Sequence, residues 1–352
     1  MKKFFSVLSV ATISMSLLLA GCGGGNQAAP QNNANQGNQA APAQPSTDKK
    51  IRVGMVTDTG GVHDNSFNQS AWEGLQKLQN DTGTEVQYLQ SQSDAEYVPN
   101  LNQFVKDKWD LTWGIGFLMG DHVKKVAEEN KDAKLAIIDA EVEGIPNVES
   151  VLFKEHEGSF LVGVVAATMS KSKKVGFVGG MDIPVIKRFE AGFTAGVKAV
   201  DPNVQVIPIY TGAFDKADLG KSAASQLYGQ GADIVFHAAG GTGDGVFNEA
   251  KDRKSKGENV WVIGVDKDQS LTFGKEVTLT SMMKRVDEAV YRVSKDYAEG
   301  KFEGGKMVKL GLAENAVGLP ETSKDTVPAD VLAKVEEFKA KIVKGEITVP
   351  EK

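Results

Sequence analysis

Three aspartates stand at the ends of apolar runs. Asp58 ends the run Ile51-Arg-Val-Gly-Met-Val56, Asp139 closes Lys134-Leu-Ala-Ile-Ile138, and Asp266 closes Val260-Trp-Val-Ile-Gly-Val265. Phe67, Phe117 and Phe214 fall in the segments that follow such runs, and Lys284 follows another. An ionised carboxylate only accepts hydrogen bonds, whereas a phenyl ring offers a flat apolar face. A buried charge costs several kcal/mol unless it is paired. Carboxylates gathered with phenyl rings therefore call for a flat partner rich in N–H or O–H donors. A phosphorylated partner is disfavoured, because three carboxylates would repel it.

Other chemistries find little support. There is no Gly-x-Ser-x-Gly elbow. Cys22 is the only cysteine, which excludes an intrachain disulfide and any multi-cysteine metal site. His63, His122, His156 and His237 lie far apart, with no His-x-x-x-His pair, so no metal, cofactor or catalytic residue is expected. Gly240-Gly-Thr-Gly-Asp-Gly245 follows an apolar run and opens a helical pattern, the setting of a dinucleotide fingerprint, but no register gives G-x-G-x-x-G. It reads better as a tight turn presenting the amides of Gly240 and Gly241 to a ligand at a helix N-terminus. A sugar or a nucleoside suits the donor-rich requirement.

Each residue also has a plainer reading. Asp64 and Asn65 suit turns and caps. Phe67 suits a hydrophobic staple at a helix start. His237 lies inside an apolar run and suits a satisfied core position. Asp58 has the weakest plain reading, because a carboxylate at a strand's carboxyl end is partly desolvated.

The elements that must position these groups alternate. Asp58 sits where a strand gives way to Gly60-Gly61, then to Ser66 as an expected N-cap, then to a helical pattern from Phe67. Strand and helix patterns repeat along the body, which predicts parallel sheets covered by helices. The plan restarts after about residue 150, with a second double-glycine turn at Gly179-Gly180. The expected fold is α/β, with two doubly wound parallel-sheet lobes joined by a hinge around a central cleft. The expected first lobe takes residues 49–154 plus about 275–305. The expected second lobe takes 155–268 plus about 306–352. In open sheets of this kind ligands bind at the strands' carboxyl ends.

The ends predict location. Lys2 and Lys3 precede an apolar stretch from Phe4 to Leu19, too short for a comfortable membrane span. It runs into Leu19-Ala-Gly-Cys22, a lipobox-like pattern, so residues 1–21 read as a lipoprotein signal peptide and Cys22 as the lipidated residue. Each buried CH2 of an acyl chain adds roughly 0.8 kcal/mol, so multiple acylation makes a stable anchor. Residues 22–48 hold no aromatic residue and no charge before Asp48, and read as a tether with a reach on the order of 30 Å. The formal charge is −6, and more negative still without Lys2 and Lys3, with no basic block, so nucleic acid is not an expected partner.

Asp58-Thr-Gly-Gly-Val-His-Asp-Asn-Ser-Phe-Asn68, Gly179-Gly-Met-Asp182, Phe236-His-Ala-Ala-Gly-Gly-Thr-Gly243 and Gly264-Val-Asp266 resemble the basic membrane protein (BMP) family. The resemblance spans essentially Ile51 to Leu319. That family comprises bacterial substrate-binding lipoproteins of ABC importers, the best understood of which bind purine nucleosides. The resemblance implies a type I periplasmic-binding-protein fold, no enzymatic activity, an ABC permease as partner and a monomer held at the outer face of the cell membrane. It implies that Phe67 and Phe214 sandwich a purine base and that Asp58 and Asp139 bond its edge. Asp266, Lys284 and the amides near Gly240 and Gly241 would hold ribose hydroxyls, and Asn68 joins the ligand set. Receptors for a sugar, riboflavin or a signalling molecule stay open at this stage. So do a surface nucleoside hydrolase and an adhesive or antigenic protein with no small ligand.

Overall fold

The structure is a computed structural model, and it describes residues 50–352. The expected leader, Cys22 and tether lie outside the described residues. In chain order the elements are β1 (Arg52–Thr57), α1 (Phe67–Thr82), β2 (Glu85–Gln90), α2 (Tyr97–Lys106), β3 (Leu111–Ile115), α3 (Gly120–Glu129), β4 (Leu135–Ile138) and β5 (Val148–Phe153). There follow α4 (Glu155–Met169), β6 (Lys174–Gly179), α5 (Pro184–Val200), β7 (Gln205–Tyr210), α6 (Ala217–Gly229), β8 (Ile234–Ala238), α7 (Gly243–Ser255) and β9 (Trp261–Asp266). The chain ends with α8 (Ser270–Phe273), β10 (Thr278–Lys284), α9 (Val286–Ala298), β11 (Met307–Leu310), β12 (Val317–Gly318) and α10 (Ala329–Val343).

The strands form two six-stranded sheets with the same plan: β11-β5-β4-β3-β1-β2 and β12-β10-β9-β8-β6-β7. Every pairing is parallel except β10 with β12. The central strands β3, β4 and β8 are buried along their whole length, as parallel strands covered on both faces must be. The edge strand β2 alternates instead. In α1 the buried residues Ala71, Leu75 and Leu78 recur at helical spacing, and Gly83 ends the helix in the left-handed conformation with its N–H on Gln79 O. Helix α4 is buried almost all round, which lets it serve as the seat for α5. Their approach depends on glycine: a Cβ at Gly192 would stand 2.1 Å from His156 O, and one at Gly196 would stand 2.0 Å from Phe160 O.

The chain passes between the sheets three times: from β5 to α4, from β10 to α9, which packs on α1, and from β11 to β12. This corrects the expected division near the carboxyl end. Residues 278–284 form β10 inside the second sheet, where an N-terminal-lobe strand was expected, and Met307–Leu310 pairs with β5 in the first. Alternation alone shows that a strand exists; it does not say which of two like sheets has a vacant neighbour.

One local expectation also changes. Ser66 makes no capping bond to α1. Asp64 does that work, its carboxylate accepting from the amides of Ser66, Asn68 and Gln69 at 2.8–3.0 Å.

Candidate functional site: a closed cleft between the two sheets

The carboxyl ends of both sheets meet around one small cavity, lined from both sheets. Asp58, Phe67, Asn68, Asp139, Phe214, Gly240, Asp266 and Lys284 all line it. Gly241 does not; it sits behind the wall, where a Cβ would stand 3.3 Å from Phe214 O and 3.5 Å from Asp64 Cβ. Sequence reasoning left Asp64 to a capping role, and it both caps α1 and lines the cavity. It passed over Ile183, Val185, Ile186 and Phe189, which line the cavity from α5 and the turn before it. Their signal was available: α5 follows the Gly179-Gly180 turn just as α1 follows Gly60-Gly61.

The two phenyl rings are held differently. Phe67 begins α1, and its ring lies beside Gly116, whose φ of 118° only glycine adopts readily; a Cβ there would meet Phe67 Cε1 at 3.5 Å. Phe214 packs against Gly180, where a Cβ would fall 2.3 Å from its Cε1.

Asp139 and Asp266 occupy matching places at the ends of β4 and β9, and both take left-handed φ, 68° and 62°. Aspartate tolerates that region better than most side chains. Asp58 Oδ1 accepts from Gly60 N at 2.9 Å and Asn68 Nδ2 at 2.8 Å. Asn68 Nδ2 also reaches Asp64 Oδ2 at 3.0 Å, which orients the amide. Among the cavity-lining residues, two buried acceptors lack a donor: Asn68 Oδ1 and Asp139 Oδ1. Buried polar atoms are rarely left so, and these two lie where a ligand would.

Burial pushes Asp58 up to about 6, against the bonds from Asn68 and Gly60, and the charges of Asp64 and Asp139 add to the rise. Burial pushes Asp266 up to about 7, although Lys284 and Ser66 oppose it. Lys284 is the cavity's one cationic lining residue among the described residues. Its ammonium bonds Asp139 Oδ2 at 2.5 Å, with the Phe67 and Phe153 rings each 5.1 Å away. His237 is buried behind the site with Nε2 at 2.8 Å from Gln269 Oε1, and burial pushes it down to about 4.

Side chains bind the sheets together across the cleft. Asn65 Nδ2 donates to Asp244 Oδ2 at 2.9 Å, Gln269 Nε2 to Asn65 O at 3.1 Å, and Lys267 Nζ to Glu73 Oε1 at 2.6 Å. The cleft is closed.

Two matched parallel-sheet lobes, three crossings and a closed cleft lined from both lobes define a two-lobed solute-binding protein of the type I periplasmic fold. The comparisons agree. The profile of the Bmp family, described as "ABC transporter substrate-binding protein PnrA-like", matches residues 51–352. The chain belongs to that family of ABC transporter substrate-binding proteins. It is 52% identical over 319 residues to the "CD4+ T-cell-stimulating antigen" of Listeria monocytogenes, covering 86% of this chain and 89% of the relative. It is 36% identical over 367 residues to the "ABC transporter nucleoside-binding protein BmpA" of Lactococcus lactis, covering 100% of both. Among solved structures, an ABC transporter solute-binding protein from Aeropyrum pernix K1 superposes with a TM-score of 0.79 at 33% identity, covering 86% of this chain and 94% of that one. The Lactococcus lactis relative and the Aeropyrum pernix structure are both named as binding proteins of ABC transporters.

Proposed function

We propose that the protein is a lipid-anchored receptor at the outer face of the cell membrane that captures a purine nucleoside in this cleft and delivers it to an ABC permease. One observation carries the reading: the orphaned acceptors Asn68 Oδ1 and Asp139 Oδ1 lie in the same cavity wall as the Phe67 and Phe214 rings. A purine supplies a flat face for the rings and N–H donors for Asn68, Asp58 and Asp139. Ribose supplies hydroxyls for Asp266, Lys284 and the Gly240 amide. Four lining carboxylates face one lysine, so the 5′ position carries no phosphate. The nucleoside-binding relative in Lactococcus lactis supports the same ligand class.

Stacking contributes about 1 kcal/mol per ring beyond burial. Each charge-assisted hydrogen bond adds about 1.5–3 kcal/mol. Hinge closure then sequesters the ligand. Cys22 would carry the anchor, leaving the body to act as a monomer.

The test is calorimetry with adenosine, guanosine and inosine against ribose, free bases and nucleoside monophosphates, together with mass spectrometry of whatever co-purifies. Purine nucleosides should bind most tightly and be recovered unchanged. Preference for a monosaccharide, or release of free base from inosine, would overturn the reading. Cys22→Ala should move the protein out of the membrane fraction.

A further inference from the structure

Glu155 is fully buried, yet it does not line the cavity. It is the first residue of α4, just past the first crossing between the lobes. Lys284 is 1% exposed and ends β10, just before the second crossing. Glu155 Oε1 lies 3.1 Å from Lys284 Nζ, and Glu155 Oε2 accepts from Arg188 Nε at 2.7 Å. Arg188 is 18% exposed and precedes the cavity-lining Phe189 on α5. The four groups form a chain of alternating charge: Arg188, Glu155, Lys284, Asp139.

A lysine at the ligand faces two conflicting demands. Its ammonium must stay charged in a dry site, and it must be free to turn a donor toward the ligand. With Asp139 as sole counter-ion, releasing Asp139 would leave the ammonium unpaired, at a cost of several kcal/mol. A second carboxylate outside the cavity removes the conflict, because no ligand can displace it. Arg188 then prevents that carboxylate from turning away. The charges agree with this account. Burial raises the Glu155 carboxyl, but Lys284 and Arg188 outweigh it and hold the group below its ordinary value.

The geometry points to Glu155, braced by Arg188, as a positioning residue that keeps Lys284 charged and aimed into the cleft, so that Lys284 can share its donors between Asp139 and a ligand's hydroxyl groups. This rests on the nucleoside reading of the cleft. It adds that discrimination between nucleoside and free base depends on a residue that never touches either.

The test uses the full chain and measures the affinities of a purine nucleoside and its free base by calorimetry, with thermal melts as a fold control. In E155Q, which keeps the side chain's shape, nucleoside affinity should fall about tenfold, as expected for a weakened charge-assisted bond, while the free base changes by less than about threefold. In a K284M background, E155Q should cause no further loss of nucleoside preference, because Glu155 acts through Lys284. If E155Q does not fold, R188Q takes its place and should shift the preference in the same direction. Equal losses for nucleoside and base, or an additive effect in K284M, would overturn the inference while leaving the nucleoside reading standing. Wild-type protein that binds no nucleoside would overturn both.

Discussion

Ser66 Oγ donates to Asp266 Oδ2 at 2.5 Å, joining the loop before α1 in one lobe to the end of β9 in the other. This bond occupies one oxygen of a carboxylate that also lines the cavity. Asp266 is therefore a closure contact that also faces the proposed ligand, and substitutions there should read out on both closure and binding.

Asp266→Asn keeps an oxygen that can accept from Ser66 but removes the charge. Nucleosides should lose about ten- to hundredfold in affinity, the size of one charge-assisted bond, and free bases should lose much less. Calorimetry with matched pairs, such as inosine and hypoxanthine, checks this. Equal losses would remove Asp266 from the ribose.

Phe67→Ala and Phe214→Ala should each weaken every purine ligand alike, by about tenfold, from lost stacking and burial. Phe214 stands against the Gly180 backbone, so Gly180→Val should displace the ring and mimic Phe214→Ala. Equilibrium titration with nucleosides and bases, beside thermal melts, tests both statements.

The cleft carboxylates should give an unusual pH response. A carboxyl whose folded pKa exceeds its unfolded value of about 4 contributes stability that is lost as pH rises through the folded pKa. Asp58 at about 6 and Asp266 at about 7 place that loss between pH 4 and 7. His237, pushed down to about 4, has the opposite sign, since its buried neutral ring loses stability as pH falls from about 6.5. Above about pH 6.5 the carboxylates act alone in this balance. The ligand-free melting temperature should thus fall from pH 6.5 to 7.5, and less so in Asp266→Asn. A donor-rich ligand favours the ionised carboxylates, so affinity should rise over the same interval with proton release. Calorimetry in buffers of different ionisation enthalpy measures that release.

Asn65 is held left-handed, at φ 53°, while its side chain and carbonyl both bond the other lobe. Asp244→Ala removes the side-chain contact outside the cavity wall. Dissociation of bound nucleoside should quicken several-fold, about 1 kcal/mol for one partly buried hydrogen bond, with little change in association. Stopped-flow fluorescence separates the two rates.

Much of this was legible from the chain alone, for physical reasons. Parallel strands buried on both faces leave continuous apolar runs, so Val53 to Val56 and Ile263 to Val265 marked themselves, and the acids that end them stood out. Asp64 as a cap was readable from its type and place. What stayed hidden depended on three-dimensional neighbours. Glu155 looks like an ordinary first-turn acid until Lys284 and Arg188 are seen beside it. Ser66 looks like a cap until Asp266 arrives from 200 residues away. Likewise, β10 and β11 were visible as strands, but each sheet has a place for one more, and only the pairing tells which takes which.

That exchange of strands bears on how the protein is made. The first sheet is unfinished until β11, near residue 310, has left the ribosome or the export channel, and until then β5 presents an open edge. Neither lobe is a contiguous stretch that could mature ahead of the other. A chain cut anywhere before Leu310 should remain a substrate for chaperones and proteases, so maturation of the two lobes is a single late event.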